Sequence, residues 1–257
     1  MGMLADRRDE LGRARTQTIN RLHLELFPGG AKQFLSAQQA RAMLATIRPR
    51  DLPGKTRRRL AAELISELEA TEKKIKALKK ELAALVAARG STLMELHGIG
   101  PASAARLLAD VGDIHRFAGR DKFASWNGTA PLDASSGNQE RHRLSRAGNR
   151  RINRTLHIMV VVQLRNQTPG RAYYDTRKAG GMPSMMATRA LKRRLSNVIY
   201  ARMLADQERR EEGPGGQPGT TTDFSVTDLT PDIGSSEKPR PGPAAQSTTR
   251  PRTAPLT

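Results

Sequence analysis

The 257-residue chain carries 44 lysines and arginines against 25 aspartates and glutamates, a formal charge of +19, while aromatics make up only 4% of it. An excess of that size argues against an ordinary metabolic enzyme. It points to a polyanion held through counterion release, with nucleic acid preferred over a membrane surface because no amphipathic helix with large apolar anchors stands out. Cysteine is absent, which removes disulfides, thiol catalysis and Cys-liganded zinc.

In chain order, Leu4, Leu11, Ile19, Leu22 and Leu26 recur at near-helical intervals among charges and predict an amphipathic helix ended by Pro28-Gly29-Gly30. The charged, helix-prone opening, with no cap or strand before it, reads as the middle of something longer. Ser36 suits the N-cap of a second helix reaching Thr46, stopped by the stretch from Arg48 to Gly54. From Ala61 to Leu85 two heptad seams follow: Leu64, Thr71, Leu78 and Leu85 form one, Ala61, Leu68, Ile75 and Leu82 the other. Such a helix either packs on its own domain or pairs with a second copy.

Residues 91–210 carry mostly helical periodicity, clearest over Ser103 to Val111, Arg150 to Leu164 and Met185 to Leu204, and no convincing alternating strand. The β-branched run around Val160-Val161-Val162 leaves a strand open there. Beyond Glu212, 27 of 45 residues are Gly, Pro, Ser or Thr, too few apolar groups to offset ordering entropy. The predicted fold is therefore all-α. A helical segment over 1–60 leads into a coiled-coil-like helix over 61–89, then a compact helical domain over 90–210 and a disordered tail over 211–257. No apolar run has the length of a signal peptide or a membrane span, so a cytoplasmic protein is expected.

The sharpest local motif is Leu96-His97-Gly98-Ile99-Gly100-Pro101, read as a helix-hairpin-helix turn. Gly98 and Gly100 permit the tight backbone, Pro101 suits the first turn of the next helix, and the amides at that helix start face a phosphate oxygen. The bland alternative is a plain interhelical turn. Between Arg141 and Arg154 stand six arginines, Arg141, Arg143, Arg146, Arg150, Arg151 and Arg154, and no acid. Guanidinium forks match phosphate oxygens, so this run is the predicted backbone grip.

Ser135-Ser136-Gly137 reads first as a turn, yet a serine hydroxyl beside those arginines has the charge stabilisation that attack on a phosphodiester requires. His142 is a weak candidate base. Other motifs fail: Gly54-Lys55-Thr56 has Pro49 where a P-loop needs its leading glycine, and the histidines lack ligand spacing, so no metal site is expected. Trp126, Phe117 and Phe123 read as core, and Tyr173-Tyr174 as either core or a DNA contact.

Taken together, Leu96 to Phe117, the block Trp126-Asn127-Gly128-Thr129-Ala130-Pro131, Ser135-Ser136-Gly137 and the run Arg143 to Arg154 resemble the C-terminal domain of the IS-one-ten family of insertion-sequence transposases. These are RNA-guided recombinases that join a RuvC-like nuclease domain to a serine domain, and the likeness covers about residues 4–204. It implies that Ser136 is the nucleophile, with Ser135 as the alternative, through a covalent phosphoserine link. It also implies DNA, a structured guide RNA and a homodimer or higher oligomer as partners, in the bacterial cytoplasm at the nucleoid. Magnesium belongs to the family's RuvC-like domain, which would precede Asp6 and is expected to be missing, so no cofactor is expected in this chain. Two functions follow: strand exchange by the serine, or a catalytically inactive DNA- or RNA-binding, dimerising fragment that modulates full-length transposase. A basic RNA-binding structural protein is the third reading.

Overall fold

The computed structural model describes residues 1–26, 35–133, 142–144 and 148–212. Residues 213–257, nearly all of the tail expected to be disordered, lie outside the described residues.

Helix α1 (Gly2–Leu26) buries Ala5, Leu11, Ile19 and Leu22 on one stripe, as the spacing predicts. Helix α2 (Ala37–Thr46) opens with the predicted cap: Ser36 Oγ accepts from the Gln39 amide at 3.2 Å, and the Gln39 side chain accepts from the Ser36 amide at 3.0 Å. Helix α3 (Leu52–Ala88) starts inside the stretch read as a break. Asp51 caps it by accepting from the Gly54 amide at 3.0 Å, and Pro53 fits the first turn, where a missing N–H costs nothing.

Helix α1 runs antiparallel to α3. Its C-terminal half meets Ala61, Ile65 and Leu68, together with Ala40 and Leu44 of α2, in one core. Its first residues, Met1 and Leu4, pack near Leu82 and Val86 in a second core. The heptad seam through Ala61, Leu68 and Leu82 is thus sealed within the chain, whereas Leu64, Thr71, Leu78 and Leu85 stay half-buried along its flank.

The second core is built by α3's last turns and by α4 (Pro101–Val111), α5 (Arg120–Trp126), α6 (Arg150–Arg165), α7 (Pro169–Ala179) and α8 (Ser184–Glu211). The β-branched run of α6 is helical, with Met159 and Val160 turned inward. Phe117, Phe123 and Trp126 form an aromatic cluster with ring centroids 5.2 to 5.9 Å apart, as expected of core residues. Tyr173 and Tyr174 pack against the same core, and the Tyr173 hydroxyl accepts from Arg177 Nε at 3.2 Å. The all-α reading holds for this body.

It omits one element. Strands β1 (Pro131–Asp133) and β2 (His142–Leu144) pair antiparallel, with Pro131 opposite Leu144, Leu132 opposite Arg143 and Asp133 opposite His142. Three residues per strand are too few to show a period of two, and a leading proline is an edge-strand residue, so there was no alternation to detect.

Two polar ties fix the frame. Arg106 on α4, only 4% exposed, sends its guanidinium to Asp6 at 2.8 Å and Asp9 at 3.3 Å on α1. Asp206 on α8, 2% exposed, accepts from Ser91 Oγ at 3.0 Å, the Thr92 amide at 2.9 Å and Thr92 Oγ1 at 2.7 Å, and pairs with Arg209. A buried carboxylate with this many donors is satisfied rather than reactive.

Candidate nucleic-acid interface

The predicted turn between Leu96 and Gly100 is entered from a 3-10 turn, Leu93–Glu95, and leads into α4. The Ile99 amide donates to the Leu96 carbonyl at 3.0 Å, and Ile99 inserts into the core. Gly98 has φ +96, and a Cβ there would lie 3.1 Å from the Met159 carbonyl oxygen, so both backbone conformation and close approach require glycine. Gln163 of α6 pins the turn by donating from Nε2 to the His97 carbonyl at 2.9 Å. Gly100 is the N-cap of α4 and makes no side-chain cap hydrogen bond, and Pro101 follows it, as the phosphate-facing reading needs.

The arginine run divides. Arg150, Arg151 and Arg154 lie exposed on the first turns of α6, whose N-cap Asn149 accepts from the amides of Arg151 at 3.0 Å and Ile152 at 3.1 Å. Arg151 spends part of its charge on Asp6, 3.2 Å away. Arg143 stands on β2 opposite Leu132. Ser135, Ser136, Arg141 and Arg146 lie outside the described residues; the two serines and Arg141 fall in the connection between β1 and β2, and Arg146 follows β2.

The turn at Gly98 packs on Met159, nine positions along α6 from Arg150, or about 13 Å at the helical rise. The turn therefore packs on the helix that carries Arg150, Arg151 and Arg154, and it meets that helix well beyond its first turn. The turn and the arginines suit separate phosphates of one strand rather than a single anion.

What the sequence reading did not assign is the polar platform under the ribbon. Asn127, fully buried, donates from Nδ2 to Ser196 Oγ at 2.8 Å and accepts on Oδ1 from the Thr129 hydroxyl at 2.7 Å. Asn153 donates from Nδ2 to the carbonyls of Asn127 at 2.9 Å and Gly128 at 3.1 Å, and accepts on Oδ1 from Lys192 Nζ at 2.7 Å. Burial, reinforced by nearby Arg189, holds the Lys192 ammonium below its ordinary pKa of 10.5. Asn149 closes the ribbon's base, its amide donating to the Trp126 carbonyl at 2.7 Å and its side chain to Asp110 at 3.2 Å. The signal available in sequence was the set of asparagines: Asn149 and Asn153 are one helical turn apart, and Asn127 sits in a turn of the block that carries the resemblance.

Residues 90–175, which include the turn, the ribbon and all of α6, match the model described as Transposase IS116/IS110/IS902 family. Over that segment the chain is similar to that family. The chain is 30% identical over 208 residues to a "Probable family 20 transposase" of Pseudomonas aeruginosa, a match covering 76% of this chain and 60% of that one. It is 32% identical over 146 residues to "Insertion element IS110 uncharacterized 43.6 kDa protein" of Streptomyces coelicolor, covering 56% of this chain and 36% of that one. It is 33% identical over 116 residues to "Insertion element IS900 uncharacterized 42 kDa protein" of Mycobacterium paratuberculosis, covering 44% and 29% respectively. The chain thus spans between about three tenths and three fifths of the length of these curated relatives. No described helix is long and apolar enough to cross a membrane.

Proposed function

We propose that this insertion-sequence transposase chain holds DNA along α6 and α4 and uses Ser136 as the nucleophile of strand exchange, with Ser135 as the alternative. The observation that carries this reading is the placement of the ribbon. The Asn149 amide ties the start of the helix bearing Arg150, Arg151 and Arg154 to the Trp126 carbonyl, five residues before β1, which supports a role for those guanidinium groups beside the chemistry of the connection. In the reaction the serine oxygen bonds to phosphorus, the bond from phosphorus to one deoxyribose oxygen breaks, and that oxygen leaves with the proton given up by serine. Arg141, Arg143, Arg146 and the α6 arginines offset the charge that builds on the phosphate; Gly98 and Gly100 hold a second phosphate at the start of α4. DNA, a structured guide RNA and a second copy of the chain are the proposed partners, at the bacterial nucleoid.

The magnesium of the family's RuvC-like domain does not fit the residues described. Asp6 and Asp9 are engaged by Arg106, and among the described residues no group of three or more His, Asp or Glu side chains could hold a metal ion. This chain's proposed share of the chemistry is therefore that of its hydroxyl and guanidinium groups.

Incubating the protein with donor and target DNA and a full-length relative should yield a denaturant-resistant adduct between this chain and DNA. The adduct is lost in Ser136→Ala and kept in Ser135→Ala; persistence in Ser136→Ala overturns the assignment. A second reading draws on the half-buried seam of Leu64, Thr71, Leu78 and Leu85. In it, the chain is a catalytically inactive DNA- or RNA-binding fragment that modulates full-length transposase by pairing along α3. Salt-sensitive binding with no adduct under any condition would favour that reading.

A further inference from the structure

The loop from Gly128 to Pro131 and the opening turns of α8 leave a cleft of about 230 Å³ between them. Ordinary small-molecule sites run from ~300 to 1,000 Å³, so this one admits a single flat ring system rather than a whole cofactor. Ala130, Pro131, Met182, Met186 and Ala190 give it apolar walls; Arg189, Lys192 and Arg193 also line it, and among the described residues no acidic one does. Arg193 is committed to Asp121 and Asn197, which leaves Arg189, exposed at the rim, and Lys192, bonded to Asn153, as its other positive groups. Met186 is 45% exposed at this cleft, beside Arg189 and Lys192.

The cleft is continuous with the α6 grip. Asn153, bonded to both Lys192 and the Gly128 carbonyl, ties two of its lining residues to α6, and Arg150 and Arg154 lie on the first turns of that helix. A flat apolar body with anionic groups on either side is the complement of such a site, and a methionine thioether packs well against an aromatic face. We propose that the cleft takes one unpaired base of a DNA strand whose flanking phosphates lie on Arg189 and the first turn of α6. This inference rests on the DNA-holding reading above. A base stacked and paired in duplex reaches the cleft only by leaving the stack, so the site favours single-stranded or mismatched DNA.

The test compares, by fluorescence anisotropy, a single-stranded oligodeoxynucleotide, the same backbone with abasic sites, and the duplex. The intact strand should bind about tenfold tighter than the abasic one, the scale of one well-housed base. Ala190→Phe, which fills the cleft without changing charge, should abolish that preference and leave abasic and duplex affinities in place. Met186→Ala, at an exposed side chain, should reduce it in the same direction with the fold retained. Equal binding of intact and abasic strands overturns the proposal, as does an equal loss on all three probes in Ala190→Phe. Tighter binding of the matching RNA would give the cleft to RNA instead, and a changed oligomeric state of Ala190→Phe would give it to a second copy; either overturns the assignment to DNA. Duplex binding without a base preference sinks the cleft alone, whereas failure to bind any of the probes sinks the DNA-holding reading with it.

Discussion

Lys192 and Asn153 join α8 to α6 through one hydrogen bond of 2.7 Å, and the same asparagine uses its amide to hold two carbonyls of the loop that leads into the ribbon. Three partners depend on one side chain. Asn153→Ala leaves a half-buried ammonium and two carbonyls without that partner and should cost about 2 to 3 kcal/mol. Asn153→Asp keeps the lysine bond but removes the amide donors, and should recover only part of the loss. Urea unfolding of the three proteins decides it; equal stability of Asn153→Ala and the parent rejects the platform.

Gly148 has φ +101, and a Cβ there would stand 2.7 Å from the Trp126 carbonyl oxygen and 2.9 Å from the Gly128 amide nitrogen. Gly148→Ala should lower stability by at least ~2 kcal/mol, since strain and overlap act together. A variant as stable as the parent in thermal unfolding would show that the ribbon's base is not clasped there.

Asp206 brings the start of the C-terminal domain onto α8 through three hydrogen bonds from Ser91 and Thr92. Asp206→Ala leaves those donors and Arg209 without their acceptor and should cost about 3 kcal/mol. Hydrogen exchange should report early opening around Leu93, whereas α1 and α2 should keep their protection until the whole chain unfolds.

Asp113 caps the 3-10 turn Ile114–Arg116, accepting from the His115 amide at 2.8 Å and from Gln207 Nε2 at 2.8 Å. These two bonds, the His115 amide first, hold its carboxyl below the ordinary 3.8. A carboxylate whose folded pKa is depressed adds stability that is fully present above the unfolded value and is lost as pH falls through the folded one. Asp113→Asn should therefore melt below the parent at neutral pH, and the two melting temperatures should converge as pH drops well beneath 3.8. A gap that is constant through the acid range would contradict this.

Binding to duplex DNA should weaken steeply with salt, and Arg150→Gln and Arg154→Gln should each reduce the slope of log K against log salt by about one. Arg151→Gln should change it less, because Asp6 already takes part of that charge. Identical slopes in all three variants would remove α6 from the interface.

The sequence made the long helices legible because their apolar stripes repeat at a period that one helix imposes on itself: Leu11, Ile19 and Leu22 in α1, and Ala61, Leu68 and Leu82 in α3, are buried where the spacing puts them. Gly98 was legible because its positive φ is a local requirement for glycine, whereas Gly100 has φ -94 and open space around it, so the structure does not demand glycine there. The start of α3 was misread because proline and glycine, which end α2, also suit the first turn of the next helix once Asp51 caps it. The ribbon and its platform were hidden in a different way. Asn127 meets Ser196 across 69 positions, and Asn153 meets Lys192 across 39; no window of sequence contains such pairs.

The backbone bond from Asn149 to Trp126 carries a consequence for how the family diversifies. It joins the end of α5 to the start of α6 independently of the chain between β1 and β2, so lengthening that connection should add only loop-closure entropy, about 0.6 kcal/mol per doubling, and leave the helices untouched. Grafting the segment between Asp133 and His142 from one relative to another should transfer whatever chemistry that segment bears without requiring any change in the body that carries it.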